Sequence, residues 1–183
     1  FVVNTILKEA DLFCPNSVRI NFTIYHWILP LLFMFHDFEE LVFVPYWLKD
    51  HNPKINGRVL FGGVNRSDIL AAGIWEEFCI YLLLAAVAYI MGSPLLVATA
   101  ILPYLFHLIM HLVFVFNKRA YVPGAITAII ELPITIFYLY SLVTLTKAPL
   151  WEWIIVVVIM FIFFISNLKF IHWIMAETMH KLR

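Results

Sequence analysis

Five consecutive residues, His36, Asp37, Phe38, Glu39 and Glu40, place one imidazole and three carboxyl groups inside an otherwise apolar run. Residues 28–35 before them and 41–48 after them are aliphatic, aromatic or proline. On a helix, positions three and four apart share a face, so His36 can address one place together with Glu39 and Glu40. A charged side chain at mid-membrane costs about 2.5–3.5 kcal/mol on insertion scales, so such residues are held by a partner and mark a functional site by default.

Other ionisable residues repeat the pattern. Glu76 and Glu77 are embedded in a second apolar run, His107 and His111 in a third, and Glu131 in a fourth. The carboxyls of Glu39, Glu40, Glu76, Glu77 and Glu131 cannot all stay charged together in a low dielectric, so protons or a cation must accompany them. Imidazole combined with carboxylate suits a transition metal, here one or two divalent ions of zinc, iron or manganese. His107 and His111 stand one helical turn apart, a spacing that lets two imidazoles share an ion. The expected ligands are His36, Glu39, Glu40, His107, His111 and Glu131. Glu40, Glu76 and Glu77 are the candidate catalytic carboxylates, with one of the Glu76–Glu77 pair in the site as general base. Bundles that hold two metals use Glu-x-x-His pairs; here the order is His-x-x-Glu and occurs once, so a di-iron site is an analogy. Asn117, Tyr121 and the Pro123–Gly124 step form a polar turn below His111, a candidate for binding a substrate or lipid headgroup. His26 reads as interfacial, and His172 and His180 as surface residues.

The elements that must position these residues follow from composition. The 183 residues are 63% hydrophobic and 13% charged, with a mean hydropathy of +0.92, against about 45–50% and 25% for soluble domains. This is the signature of an all-α, polytopic membrane bundle. The formal net charge is zero, which offers nothing to nucleic acid. The cysteines, Cys14 and Cys79, form no CxxC pair. About five spans are expected, at 21–48, 69–91, 95–116, 122–146 and 150–174, in one membrane domain with a hydrophilic loop over 49–68. Residues 1–19 read as an amphipathic or irregular segment. Pro30 and Pro45 are expected kink points in the first span, Pro133 interrupts the fourth, and the fifth reads as structural. Nine Lys and Arg residues fall on the side of the 49–68 loop and three on the other, so the N-terminus is expected outside and the C-terminus in the cytoplasm. Counted from that side at 1.5 Å per residue, Glu40, Glu76, His107 and Glu131 all lie about 11–14 Å deep.

The His36–Glu40 pentapeptide, followed by Glu76, Glu77, His107, His111 and the 117–124 turn, resembles the HXXEE-motif family of small prokaryotic membrane proteins. That resemblance implies a cell-membrane location and a role for the His and Glu residues, without naming a reaction. The order Glu76, Glu77, His107, His111, Asn117 is also similar to that of CAAX-processing intramembrane proteases. Their Glu-Glu motif continues to an Arg, whereas here Tyr81 follows and no Arg is near. Three functions remain open on the sequence: a membrane metalloenzyme performing hydrolysis or group transfer, or an iron-dependent oxidation, on a lipid or other hydrophobic molecule; a proton- or metal-ion-translocating component; and a CAAX-protease-like hydrolase. Membrane lipids are the expected partners, and a homo-oligomer is compatible with so small a bundle.

Overall fold

The computed structural model describes residues 16–51, 54–55 and 58–181. All but the last four residues of the segment expected to be amphipathic or irregular lie outside them. Among the described residues five helices follow in order: α1 (Asn16–Asp50), α2 (Ser67–Met91), α3 (Pro94–Lys118), α4 (Ala125–Leu145) and α5 (Leu150–Lys181). Between α1 and α2 lie a two-residue antiparallel pairing of β1 (Lys54–Ile55) with β2 (Arg58–Val59) and a 3-10 turn at Leu60–Gly63.

Helices α2 to α5 are long and apolar enough to cross a membrane, which makes the chain a multi-pass membrane protein by length and composition. Helix α1, at 35 residues, is about 52 Å long at the standard rise. The acids at its centre set its composition apart from the other four.

The turns follow local chemistry. Gly92 takes the left-handed conformation (φ 61°) that ends α2, and the Ser93 hydroxyl accepts from the Leu96 amide at 3.4 Å to start α3, with Pro94 at its first position. Prolines do not break the helices. Helix α4 runs through Pro133, and α1 through Pro30 and Pro45. The expected interruption of the fourth span is therefore absent, since neighbouring helices and local adjustments accommodate proline in membrane helices.

Helix α3 is the hub and touches all four others. Ala88, Ala98, Ala100 and Ala128 are fully or almost fully buried, and small residues of this kind let membrane helices approach closely. Leu29, Phe33, Ile101, Leu108, Tyr138 and Leu142 fill the main core. A second core, at the end that carries the α1–α2 connection, joins Val44, Val64, Leu70, Ile171 and Met175.

That connection is more than a hydrophilic loop. Leu60 and Val64 are buried, and the Phe61 ring lies 6.1 Å from both Trp47 and His111. Phe61 adopts φ 53°, a conformation that costs a non-glycine residue about 1–3 kcal/mol and persists where surrounding structure demands it. His26 is buried with its ring edge-on to Tyr89 at 5.8 Å. The expected interfacial histidine is thus enclosed by neighbouring helices.

Helices α2 and α5 meet at Gly73, where an added Cβ would lie 2.7 Å from Met175 Sδ and 3.4 Å from Ile171 Cγ1. Gly73→Val is expected to destabilise the fold by about 1–3 kcal/mol through overpacking, read as a lower thermal unfolding midpoint in detergent. An unchanged midpoint would show that α5 does not pack against Gly73.

Candidate metal centre

Of the motif residues, His36, Asp37, Glu39 and Glu40 are all buried while Phe38 is exposed. Helix α1 thus turns most of this segment toward its neighbours.

His36 and Glu40, one turn apart, face His107 and His111 of α3. One ligand atom from each of these four residues lies within 4.8 Å of the others, an arrangement that could hold a metal ion. His111 Nε2 is 2.8 Å from Glu40 Oε1 and 3.1 Å from His107 Nε2. His36 Nε2 and His107 Nε2 each lie 3.7 Å from Glu40 Oε1. A tetrahedral ion with bonds of about 2.0–2.1 Å spaces its ligands about 3.3–3.4 Å apart, and the observed separations bracket that value.

Hydrogen bonding at the far side of two rings sets the direction of their lone pairs. His111 Nδ1 lies 2.8 Å from the Pro123 carbonyl, which can only accept, so Nδ1 is the donor and Nε2 of the neutral ring is left with a lone pair. His36 Nδ1 lies 2.9 Å from Thr127 Oγ1. The Thr127 hydroxyl donates in turn to Glu39 Oε2 at 2.7 Å, so it accepts from His36 Nδ1 and again leaves Nε2 free to ligate. Carboxylate or carbonyl partners of this sort orient metal-binding imidazoles.

The group is incomplete by itself. His36 Nε2 and Glu40 Oε1 are buried without a hydrogen-bond partner. The 2.8 Å approach of His111 Nε2 to Glu40 Oε1 sets two lone-pair atoms against each other and lacks hydrogen-bond direction. A cation between them resolves both facts, and buried polar atoms rarely go unsatisfied.

Gly124, at φ 85°, makes the approach possible. An added Cβ there would sit 2.6 Å from two atoms of the His111 ring and 3.2 Å from Glu40 Oε1. The missing side chain thus permits close packing under the site.

Glu39 points elsewhere. Its carboxylate accepts from the amides of Ile126 (3.3 Å) and Thr127 (2.7 Å) and from the hydroxyls of Thr127 (2.7 Å) and Tyr121 (2.7 Å). It caps the start of α4, where a carboxylate satisfies free amides and meets the positive end of the helix dipole. Partial burial, and then the bond to Glu39, raise the Tyr121 phenol above its ordinary range, which keeps it a donor. Glu131 also lies outside the four-residue group and accepts from the Tyr104 hydroxyl.

The pair on α2 is divided. Glu77 lines the cavity beside the group, while Glu76 accepts from Asn167 Nδ2 at 3.1 Å. Asn117 is exposed and lines a separate surface depression with Arg119, so the residues that resemble the CAAX-protease pattern are not gathered in one place.

The cavity measures about 360 Å³ and is walled by Asp37, Glu40, Glu77, His107 and His111 on one side and by α5 on the other. His172 of α5, expected on the surface, is half-buried and lines it too. The sequence signals for Thr127, Pro123 and Phe61 were weak, because a hydroxyl, a carbonyl and a loop aromatic carry no pattern of their own.

A family model described as "Protein of unknown function with HXXEE motif" matches residues 27–138, which is more than half of the chain. No curated protein matches, and no solved structure does.

Thr127→Val removes the hydroxyl that joins His36 to Glu39 while keeping the side-chain shape. Metal affinity is expected to fall roughly 10–100-fold, as for other outer partners of metal ligands. Competition titration with a zinc chelator measures it, and Thr127→Ser should retain affinity. Equal affinity in all three proteins would remove Thr127 from the site.

Proposed function

The chain belongs to the HXXEE-motif family of proteins of unknown function, and we propose that it is a membrane-embedded metalloenzyme that hydrolyses a hydrophobic substrate, with group transfer as the closest related reaction. The observation that carries the reading is the convergence of His36, Glu40, His107 and His111, two of whose atoms are buried and unpartnered, on the wall of an apolar cavity.

Three imidazoles and one carboxylate, with no thiolate, fit zinc, iron or manganese. One ion suffices. Glu39 is committed to α4 and Glu131 to Tyr104, and neither belongs to the ligand group. A bound divalent ion supplies Lewis acidity, which acidifies water and polarises a carbonyl.

The chain's own residues divide the rest of the work. Glu77, on the same cavity and outside the ligand group, takes a proton from the attacking water and returns it to the leaving group. Glu39 and Thr127 hold the His36 ring, and Pro123 holds that of His111. Leu60 and Phe61 cover the loop end of the cavity, which limits bulk water. The partners are lipid and a lipid-soluble substrate, and a prokaryotic cell membrane is the setting that the motif implies.

A translocating function is less well supported. Beyond His36 the buried polar groups Glu131, Thr135, Thr99 and His26 are set among the close-packed Leu29, Phe33, Ala98, Ile101 and Leu142, and none of them lines the cavity at the ligand group.

The test is the metal content of the purified protein by mass spectrometry. About one equivalent of zinc, iron or manganese is expected. The His107→Ala, His111→Ala double variant should lose it while keeping its helical circular dichroism. Well-folded protein without stoichiometric metal would overturn the reading.

A further inference from the structure

Resting on that reading, we propose that His172 of α5 is a further catalytic residue. Its imidazole N–H donates to the substrate oxygen that becomes negative when water adds, from the wall of the cavity that faces the metal group.

Among the described residues, α5 lines the cavity with six apolar side chains, Phe161, Phe164, Ile165, Leu168, Ile171 and Met175, and with one polar one, His172. An imidazole at such a place is costly unless it meets a polar partner. His172 is half-buried and forms no hydrogen bond within the described residues. Its ring nitrogens are therefore left to whatever the cavity contains.

Packing fixes where the ring stands. Ile171 and Met175 on either side of His172 close on Gly73 of α2, where an added Cβ would lie 3.4 Å from Ile171 Cγ1 and 2.7 Å from Met175 Sδ. Gly62, in the 3-10 turn, lies against the root of the side chain. An added Cβ there would be 3.6 Å from His172 Cγ and 3.7 Å from its Cβ. The charges of Glu40 and His107 both act on the ring, so it stands within electrostatic reach of the ligand group without belonging to it. A molecule seated on that group fills the space between the two.

Few other donors are available there. Asp37, Glu40 and Glu77 are acids, His107 and His111 belong to the ligand group, and the Tyr104 hydroxyl is given to Glu131. Tyr81 keeps a free hydroxyl, but the charges that act on it are those of Glu77 and Asp37 and not those of the ligand group. His172 is the donor that answers to the metal group.

Hydrolysis of an acyl compound asks for one. Water, giving a proton to Glu77, bonds through its oxygen to the carbonyl carbon, and the π pair moves to the carbonyl oxygen. That pair returns as the bond to the leaving group breaks, and the leaving group takes the proton from Glu77. Negative charge on the oxygen is greatest between the two events, where a donor aimed at it lowers the barrier. Neutral imidazole already carries one N–H, so donation needs no further proton.

Zinc-loaded protein in detergent is offered 1,1,1-trifluorododecan-2-one, which hydrates to a mimic of the tetrahedral oxyanion, and dodecan-2-one, which does not. Dissociation constants are read by native mass spectrometry, with zinc content measured on each protein. The parent should prefer the fluorinated ketone. His172→Phe should weaken that ligand about 10–100-fold, with little change for dodecan-2-one and zinc retained. His172→Asn or His172→Gln, whose amides stand in for Nδ1 and Nε2, should restore the preference. Unchanged affinity of His172→Phe for the fluorinated ketone would overturn the proposal, as would an equal loss for both ketones, which marks a packing role. Failure of both amides to restore the preference, or its absence in the parent, would also overturn it. In each of these cases stoichiometric zinc leaves the metalloenzyme reading standing. A parent protein that binds no zinc removes that reading, and the proposal with it.

Discussion

Most of this structure answers one constraint: four ionisable side chains on five consecutive positions of α1 are buried in an apolar interior. Burial of a polar group without a partner costs roughly 1–3 kcal/mol on mutational scales, and of a charge far more. Three of the four therefore draw other elements toward α1, and Asp37 lines the cavity. Glu39 takes two amides and a hydroxyl from the start of α4 and a hydroxyl from Tyr121 before it. His36 takes the same Thr127 hydroxyl on the other side. Glu40 meets the two histidines of α3. The polar contacts give the bundle its register, since packing of apolar helices in lipid has no hydrophobic drive to specify one.

The apparent looseness of the α1–α2 connection is resolved at the same end of the molecule. Trp47 donates to the Tyr121 carbonyl at 2.9 Å, and Lys118 to the Lys54 carbonyl at 2.7 Å. These bonds tie the connection and the α3–α4 turn into one cap. Phe61 can then be held in an unfavourable backbone conformation over His111. Strain of that kind is tolerated where the surroundings over-determine it, and here it places an aromatic ring between the charged group and the loop end.

How much of this was legible in the residues alone depends on what kind of signal each part leaves. The helical, multi-pass architecture is written in long apolar runs, and the ligand set in unusual residue types at i, i+4 spacing, His36 with Glu40 and His107 with His111. Burial of an imidazole or carboxyl in such a run is costly enough to be read directly. The capping role of Glu39 was not legible, because a carboxylate that caps a distant helix has the same local sequence as one that binds an ion. The partners of Glu131 and Glu76 were not legible for the same reason, Tyr104 and Asn167 being 27 and 91 residues away, so the residues alone left open which of Glu76 and Glu77 faces the site. His172 looked peripheral because it stands near a chain end, and only the packing of α5 against α2 and α3 brings it to the cavity.

These placements also give the motif a meaning that its spelling conceals. Two adjacent glutamates suggest a doubled ligand and hence two ions. On a helix, however, neighbours are about 100° apart, so Glu39 and Glu40 cannot serve one centre from the same direction. The first and fifth positions, His36 and Glu40, share the face turned to α3 and form half of the ligand group. The fourth, Glu39, faces α4 and orients the His36 ring through Thr127. The second, Asp37, reaches the cavity. The pentapeptide therefore encodes half of a group that could hold an ion, its outer support and part of the cavity wall on a single stretch of helix. Because Glu39 reaches the four-residue group only through Thr127 and His36, its loss would act first on the geometry of that group and the seating of α4. Loss of Glu40 would remove a ligand outright.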